Sequence, residues 1–319
     1  MGKKSIKILE YDQVDPQEIL FLNLHSLDWP LTPERAKSIR RLDPRPFPFF
    51  GLYVVEKGAV AGQVLVYRLP VMSTEGPEEL GGVAAVCTHP AHARRGVATT
   101  LLEEAHSRMR AAGMRFSTLG TSQYRAAYTF YRRIGYEDLF IPTATFSRYD
   151  DLQITTALRA YPVKLEELPL ADDLYQRLSS GYLGFSRRHG AFLQMMVSIG
   201  DLDLKEVWLI WQDNEPVGCA LVRINDAVLE VNNLLLLPDF DEAEAVTAIS
   251  RDLGVAYHWV RLDRPKQGIC FTNAGYPQGT PTWSTFMVKP LTPDVSVDVA
   301  RQLFQIGTDQ FLISPIDVT

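Results

Sequence analysis

The chain has 319 residues, 46% of them hydrophobic and 22% charged, with a formal net charge of −6. That is the profile of a fully folded globular protein long enough for two domains of roughly 150 residues. The acidic balance excludes a nucleic-acid binder that works by neutralising phosphates, and no run approaches the ~20 apolar residues of a membrane span.

The first half alternates strand and helix signals. SIKILEY (5–11) reads as a strand, and the lysines before it have no long apolar core behind them, which argues against a signal peptide. Residues 16–27 carry apolar positions at helical spacing, and 32–42 form a second helix with a proline near its start. Residues 50–69 are two β-rich runs around a Lys-Gly turn, a hairpin. STEGPEELGG (73–82) reads as a polar loop, and VAAVCT (83–88) as a short strand. Val97, Leu101, Leu102, Ala105, Met109 and Ala112 mark one face of a helix, with Gly113 where a terminating glycine belongs. A strand (114–121), a short helix (125–135) and a strand (136–149) complete a mixed α/β domain ending near residue 150.

The second half repeats this grammar more faintly. Helices at 165–180 and 187–198 precede a hairpin (207–224), a strand (227–239), a helix (241–256) and a strand (257–264). The segment after it mirrors the end of the first half, with Gly275-Tyr276 standing where Gly135-Tyr136 stood, the mark of a divergent duplication. The expected division is 1–150, 151–290, and a helix with an extended tail over 291–319. Cys87, Cys219 and Cys270 form no CxxC pair, so neither a disulfide framework nor a metal site is expected, and a reducing cytoplasm fits.

The densest signal is HPAHARRGVATTLLEEA (89–105), at the junction of a strand and a helix. A helix start leaves N–H groups unpaired and carries partial positive charge, so it suits phosphate oxygens. Gly96 lets a ligand approach the backbone, Ala98 keeps the first turn uncluttered, Arg94 and Arg95 add cations, and Thr99 adds a hydroxyl. Taken alone, the segment reads equally well as a surface turn with two solvated arginines.

With its surroundings, V-x-T-H-P-x-x-x-R-R-G-V-A-T-x-L resembles the acyl-CoA loop of the GCN5-related N-acetyltransferases (GNAT), whose pattern is Gln/Arg-x-x-Gly-x-Gly/Ala. Gly96 and Ala98 match it, whereas Ala93 stands at its first position. The run A-x-x-F-Y-R-R-I-G-Y (127–136) is similar to the family's second signature, with Tyr131 at the tyrosine position and Tyr124 where asparagine is usual. The resemblance implies an α/β chain of tandem GNAT folds, each a mixed, mostly antiparallel sheet whose central parallel strands splay apart. It implies acetyl-CoA as cofactor, with Val86, Thr88, Arg94, Arg95, Gly96, Val97, Ala98 and Thr99 as the binding residues. Tyr131 would be the general acid that returns a proton to the thiolate; its other reading is a core aromatic. Glu79, His25, the terminal carboxylate of Thr319 and a water chain all stay open as the base. Cys87 reads as a buried structural cysteine in preference to an acyl-carrying one, and His89 as a turn residue.

The second half has no such loop. FDEAEAV follows its strand, acidic where phosphates would need cations. An active first half joined to an inactive second is similar to the enhanced intracellular survival type of acetyltransferase, without that type's third domain. Mycothiol synthase pairs two such domains with the activity in the second. The expectation is an N-acetyltransferase acting on a small-molecule amine by direct transfer, with no nucleic-acid or membrane partner. A protein N-acetyltransferase and a non-catalytic coenzyme A-binding scaffold are the alternatives.

Overall fold

The computed structural model describes residues 7–188, 190–251 and 253–317. The first half runs β1 (Ile8–Glu10), α1 (Pro16–Leu27), α2 (Pro33–Leu42), β2 (Pro46–Glu56), β3 (Ala59–Ser73), β4 (Gly76–Thr88), α3 (Val97–Ala111), β5 (Phe116–Ser122), α4 (Ala126–Arg133), β6 (Glu137–Phe140) and β7 (Thr143–Arg148). The second continues with β8 (Arg159–Pro162), α5 (Leu168–Ser179), β9 (Leu183–Gly184), α6 (Phe192–Ile199), β10 (Val207–Gln212), β11 (Glu215–Asn225) and β12 (Val228–Leu236). It ends with α7 (Glu242–Ser250), β13 (Tyr257–Leu262), α8 (Pro265–Asn273), β14 (Thr280–Pro281), β15 (Ser284–Pro290), α9 (Val297–Leu303) and β16 (Phe311–Leu312). The two early helices each begin with a proline, α2 one residue later than the expected 32–42. Asp15 caps α1 by accepting from Gln17 N, and Thr32 caps α2 by accepting from Arg35 N.

One expected loop is a strand. Ser73 pairs with Gly76 around a tight turn at Thr74-Glu75, and residues 76–82 pair with β3 for their whole length. The polar run looked like a loop because its outer positions face solvent, while Leu80 is buried. Gly81, read as a loop glycine, marks close packing: a Cβ there would lie 2.4 Å from Met109 Sδ on α3.

The expected single strand over 136–149 is also corrected. It breaks at Ile141-Pro142, and its parts enter different sheets. Among the described residues the first sheet has the order β1-β2-β3-β4-β5-β15-β6, and the second β14-β7-β13-β12-β11-β10-β8. β7 pairs antiparallel with β13, from Arg148↔Tyr257 to Thr143↔Leu262. β15 pairs antiparallel with β5, from Ser122↔Ser284 to Phe116↔Pro290, and with β6 on its other side. Each half therefore gives one strand to the middle of the other's sheet, and both strands cross the divisions expected near 150 and 290.

The layers follow from this exchange. α3 and α4 cover one face of the first sheet through Val97, Leu101, Leu102, Ala105, Met109 and Tyr131. Helices α7 and α8 cover the outer face of the second through Ala243, Val246, Ile249 and Phe271. Between the sheets, side chains from α1, α2, α5, α6 and α9 share one continuous core with both inner faces. Each half buries a tyrosine hydroxyl against polar partners, though from different elements: Tyr136 against His106 Nε2 of α3 at 2.8 Å and Ser117 Oγ of β5 at 2.6 Å, and Tyr276 against His258 Nδ1 of β13 at 2.7 Å.

A fragment ending at residue 150 would lose β15, leaving β5 and β6 without the strand between them. Such a fragment is expected to be insoluble or to lack cooperative melting, and adding residues 151–317 as a separate chain is expected to restore solubility. A soluble, cooperatively melting 1–150 fragment would show that the exchange is dispensable.

Candidate active site

The site begins where two parallel strands part. β4 and β5 are paired at Gly81↔Ser117 and Gly82↔Thr118, and the parallel register ends there. Beyond it β4 bulges: the register against β3 slips between Gln63 and Leu65, and Ala85 adopts φ 48°. A non-glycine residue in that region is strained by about 1–2 kcal/mol, so something must hold it. Gln63 Nε2 donates to Ala85 O at 3.1 Å and to Asn23 Oδ1 at 2.8 Å. Asn23 Nδ2 donates in turn to Gln63 Oε1 at 2.9 Å and to Ile19 O at 2.8 Å. Both side chains are fully buried. This reciprocal amide pair ties α1 and β3 to the bulge and gives the Ala85 carbonyl a partner away from β5.

β4 leads into the loop that precedes α3. His89 accepts from Ala91 N and starts a single 3-10 turn, Pro90–His92. Arg94 follows at φ 62° and Gly96 at φ 82°. Gly96 is the N-terminal cap of α3 yet supplies no side-chain bond to the first turn, and a Cβ on it would meet nothing within 4 Å. The helix start is thus left open, with its orphan N–H groups facing solvent. Arg94 has no ion pair among the described residues, whereas Arg95 lies 3.5 Å from Glu56, which His92 also contacts at 2.9 Å. Val97 is in the core, so only its backbone can face a ligand, while Ala98 and Thr99 are partly exposed. Val86 and Thr88, on the diverging end of β4, are partly exposed as well.

Tyr131 stands on α4, on the α3 side of the sheet, in edge contact with Tyr136 at 5.9 Å. Its hydroxyl makes no hydrogen bond among the described residues. Burial pushes its phenol up to about 12, with Cys87 adding in the same direction, so it is a neutral acid at pH 7. Burial also pushes the Cys87 thiol up to about 12, which removes the thiolate a covalent carrier would need.

On the opposite side of the sheet, a cavity of about 570 Å³ opens against the bulge, lined by Leu27, Trp29, Tyr67, Ala84 and Ala85 from the first half and Met196 and Arg223 from the second. Pro315 lines it too, and also lines a smaller cavity of about 320 Å³ beside Gly120, Thr121 and Ser122 of β5. The tail is held there by Asp317, which accepts from Arg188 Nη2 at 2.6 Å and from Ser314 N at 2.8 Å. Larger grooves of about 700 and 910 Å³ run along β8 on the second half, and Arg223 lines the first of them as well as the cavity at the bulge.

The proposed bases are spread apart. Glu79 is exposed on β4, before the paired residues Gly81 and Gly82, and lies 3.4 Å from Arg68. His25 is exposed on α1, with Nδ1 2.9 Å from Phe21 O. Thr319 lies outside the described residues. Tyr124, at the usual asparagine position, is 78% exposed and packs edge-on against Trp283 at 5.2 Å, so its side chain bonds to nothing in the site.

A family model described as Acetyltransferase (GNAT) domain matches residues 21–139, which span the bulge, the loop and Tyr131. The chain carries a GNAT acetyltransferase domain. This makes it an acyltransferase, of a class that typically uses acetyl-CoA. Three solved structures share the fold across most of the chain. A probable N-acyltransferase from Enterococcus faecalis, itself of unknown function, has TM-score 0.65 at 15% identity over 91% of this chain and 73% of its own. A GCN5-related N-acetyltransferase from Kribbella flavida has TM-score 0.65 at 16% identity, covering 90% and 72%. Another from Anabaena variabilis has TM-score 0.64 at 18% identity, covering 90% and 73%. Their 90–91% coverage takes in both halves, so the tandem arrangement of GNAT-like sheets is shared with all three. A search of curated protein sequences returns no significant match.

Two features of the first half's site differ in the second. Tyr136 N donates to Tyr131 O at 3.1 Å, and Tyr276 N to Phe271 O at 3.0 Å, so Phe271 stands in the place of Tyr131 and lacks its hydroxyl. The start of α7 is already occupied, since Asp241 Oδ1 accepts from Ala243 N at 2.8 Å and Glu244 N at 3.0 Å.

Sequence reasoning missed Asn23 and Gln63. The available signal was an asparagine on the apolar face of 16–27 and a glutamine within an apolar strand. Asn23→Leu leaves the buried Gln63 amide half satisfied, at a cost of about 1–3 kcal/mol. The melting midpoint is expected to fall by about 2–5 °C, read by calorimetry; an unchanged midpoint would show that the bulge stands without the pair.

Proposed function

We propose that the protein moves an acetyl group from acetyl-CoA directly to a primary amine of a small molecule. The observation that carries this reading is the parting of β4 from β5, which leaves a slot through the sheet. An open helix start lies at its mouth, Tyr131 on one side, and a cavity on the other. The residues fit the cofactor: the space above Gly96 would be filled by any side chain, and the first turn of α3 has no side-chain cap to displace. Backbone N–H groups of Val97, Ala98 and Thr99, with Arg94 and Arg95 at the rim, would hold the pyrophosphate. Backbone groups around Val86 and Thr88 would hold the pantetheine arm. Bound acetyl-CoA supplies an activated acetyl group as a thioester.

This chain's residues then have distinct tasks. Bulge N–H groups donate to the carbonyl oxygen as it gains negative charge, without needing to reorganise. Tyr131 keeps its proton at neutral pH and delivers it to the departing sulfur, which leaves as a neutral thiol. The nitrogen gives up its proton to water as the amide forms, and the tyrosinate is reprotonated from water. The amine enters from the cavity side, where the second half and the tail close the walls around a volume suited to a small molecule rather than a protein surface. The neutral Cys87 thiol supports direct transfer over an acyl-cysteine route.

In the Tyr131→Phe variant kcat is expected to fall by about tenfold or more, with acetyl-CoA affinity nearly unchanged by calorimetry. Because the phenol titrates near 12, wild-type kcat is expected to show no falling limb between about pH 7 and about pH 10. A fall centred in that range would remove Tyr131 from the acid role.

Gly96→Glu places a carboxylate in the open cradle and is expected to weaken acetyl-CoA binding by about a hundredfold or more. Retained binding would move the pyrophosphate elsewhere.

A further inference from the structure

The smaller cavity, at the C-terminal end of β5, is lined by charge of one sign. Its charged lining residues are Arg125 and Arg261, and no carboxylate lines it. Arg261 comes from β13, with its side chain 9% exposed, and meets Asp263 through one nitrogen only: Nε donates to Oδ1 at 2.7 Å. Its two terminal nitrogens have no hydrogen bond among the described residues. A buried guanidinium carries five donors, and those left unpaired away from water cost free energy. Arg125 has neither an ion pair nor a side-chain hydrogen bond among the described residues.

The fold does not ask for the second cation. Arg125 stands at the N-terminal cap of α4, where its side chain caps nothing and no acidic residue occupies the first turn. A cation there faces the positive end of the helix dipole and is mildly destabilising. Two guanidiniums on one small cavity also repel each other unless an anion lies between them. Thr121, Ser122 and Ser284 line the same cavity, and none of their hydroxyls donates a hydrogen bond among the described residues. The donors converging on this space of about 320 Å³ therefore come from the two arginines, the three hydroxyls and the uncapped start of α4. All of them suit the oxygens of a carboxylate or a phosphate.

We infer that this cavity is an anion-binding subsite, in which Arg125 and Arg261 hold a carboxylate or phosphate group of the acceptor. Pro315 lines both this cavity and the larger one at the bulge, so the two adjoin along the tail. The anionic group takes no part in the chemistry; it anchors the molecule while its amine reaches the bulge. The acceptor is then an amine that carries a separate anionic group. This rests on the acetyltransferase reading of the site.

The test is calorimetric titration into the full chain saturated with coenzyme A, for wild type and Arg125→Gln. The probes are 6-aminohexanoate beside n-pentylamine, and O-phosphoethanolamine beside ethylamine, so that each pair differs by the anionic group. Arg125→Gln removes one charge and leaves the buried Arg261–Asp263 pair intact. Wild type is expected to bind the anionic member of at least one pair about tenfold or more tighter, the scale of a hydrogen bond to a charged group. Arg125→Gln is expected to lose most of that preference, with its melting midpoint unchanged or raised. No preference in either pair, or a preference that survives the substitution, would overturn the inference. So would a marked drop in melting midpoint, which would assign Arg125 to the fold. Acetyl-CoA is titrated into both proteins as well. Unchanged affinity supports an acceptor group as the anion, whereas a parallel fall would overturn it by assigning the cavity to the coenzyme's own phosphates. Consumption of acetyl-CoA with the same amines is measured separately. No transfer alongside Arg125-dependent binding would sink the acetyltransferase reading and leave the anion subsite standing.

Discussion

Two parallel strands that stop pairing in the middle of a sheet leave backbone donors and acceptors facing a gap, and the first half of this protein is arranged around that gap. β4 and β5 hold together at Gly81↔Ser117 and Gly82↔Thr118 and then separate. Orphan backbone groups are costly when buried, so such a gap persists only where other contacts stabilise it or a ligand fills it. The Asn23–Gln63 amide pair supplies part of that support by taking the Ala85 carbonyl. Met109 packs against Gly81 on the other face and fixes where α3 must start, which sets the loop of Arg94, Arg95 and Gly96 at the open end.

The exchange of β7 and β15 makes the gap rigid on its far side. β5 is held along its outer edge by β15, a strand that belongs in sequence to the second half. The same connection brings Trp283 against Tyr124 at the rim, and the tail beyond α9 returns to place Pro315 between two cavities. The second half therefore shapes the first through covalent threading as well as packing. Two domains joined only by a linker would slide or separate more readily.

Within that frame the two halves differ at particular positions. Tyr136 and Tyr276 occupy matching places, as do Tyr131 and Phe271, but the hydroxyl of Tyr136 meets His106 of α3 and Ser117 of β5 whereas that of Tyr276 meets His258 of β13. Position 271 carries no hydroxyl, and Asp241 caps the start of α7, whereas the start of α3 has no side-chain cap. Met196 and Arg223 of the second half line the cavity that opens against the bulge of the first.

The sequence by itself determined what depends on local chemistry. The helix periods of 16–27 and 97–111 and the Gly96 and Tyr131 motifs act within a few residues, so their spacing is readable along the chain. The tertiary structure decided what depends on partners distant in sequence. A strand's sheet is not written in its own residues, and the break at Ile141-Pro142 looks like an irregularity until Thr143–Arg148 is seen paired with β13. The run at 73–82 reads as a loop because an edge-facing polar strand and a loop share a composition, and only pairing with β3 separates them. The meaning of Asn23 and Gln63 likewise comes from what each meets across the fold. Whether a polar group is satisfied is a property of its neighbours in space, which the order of residues does not specify.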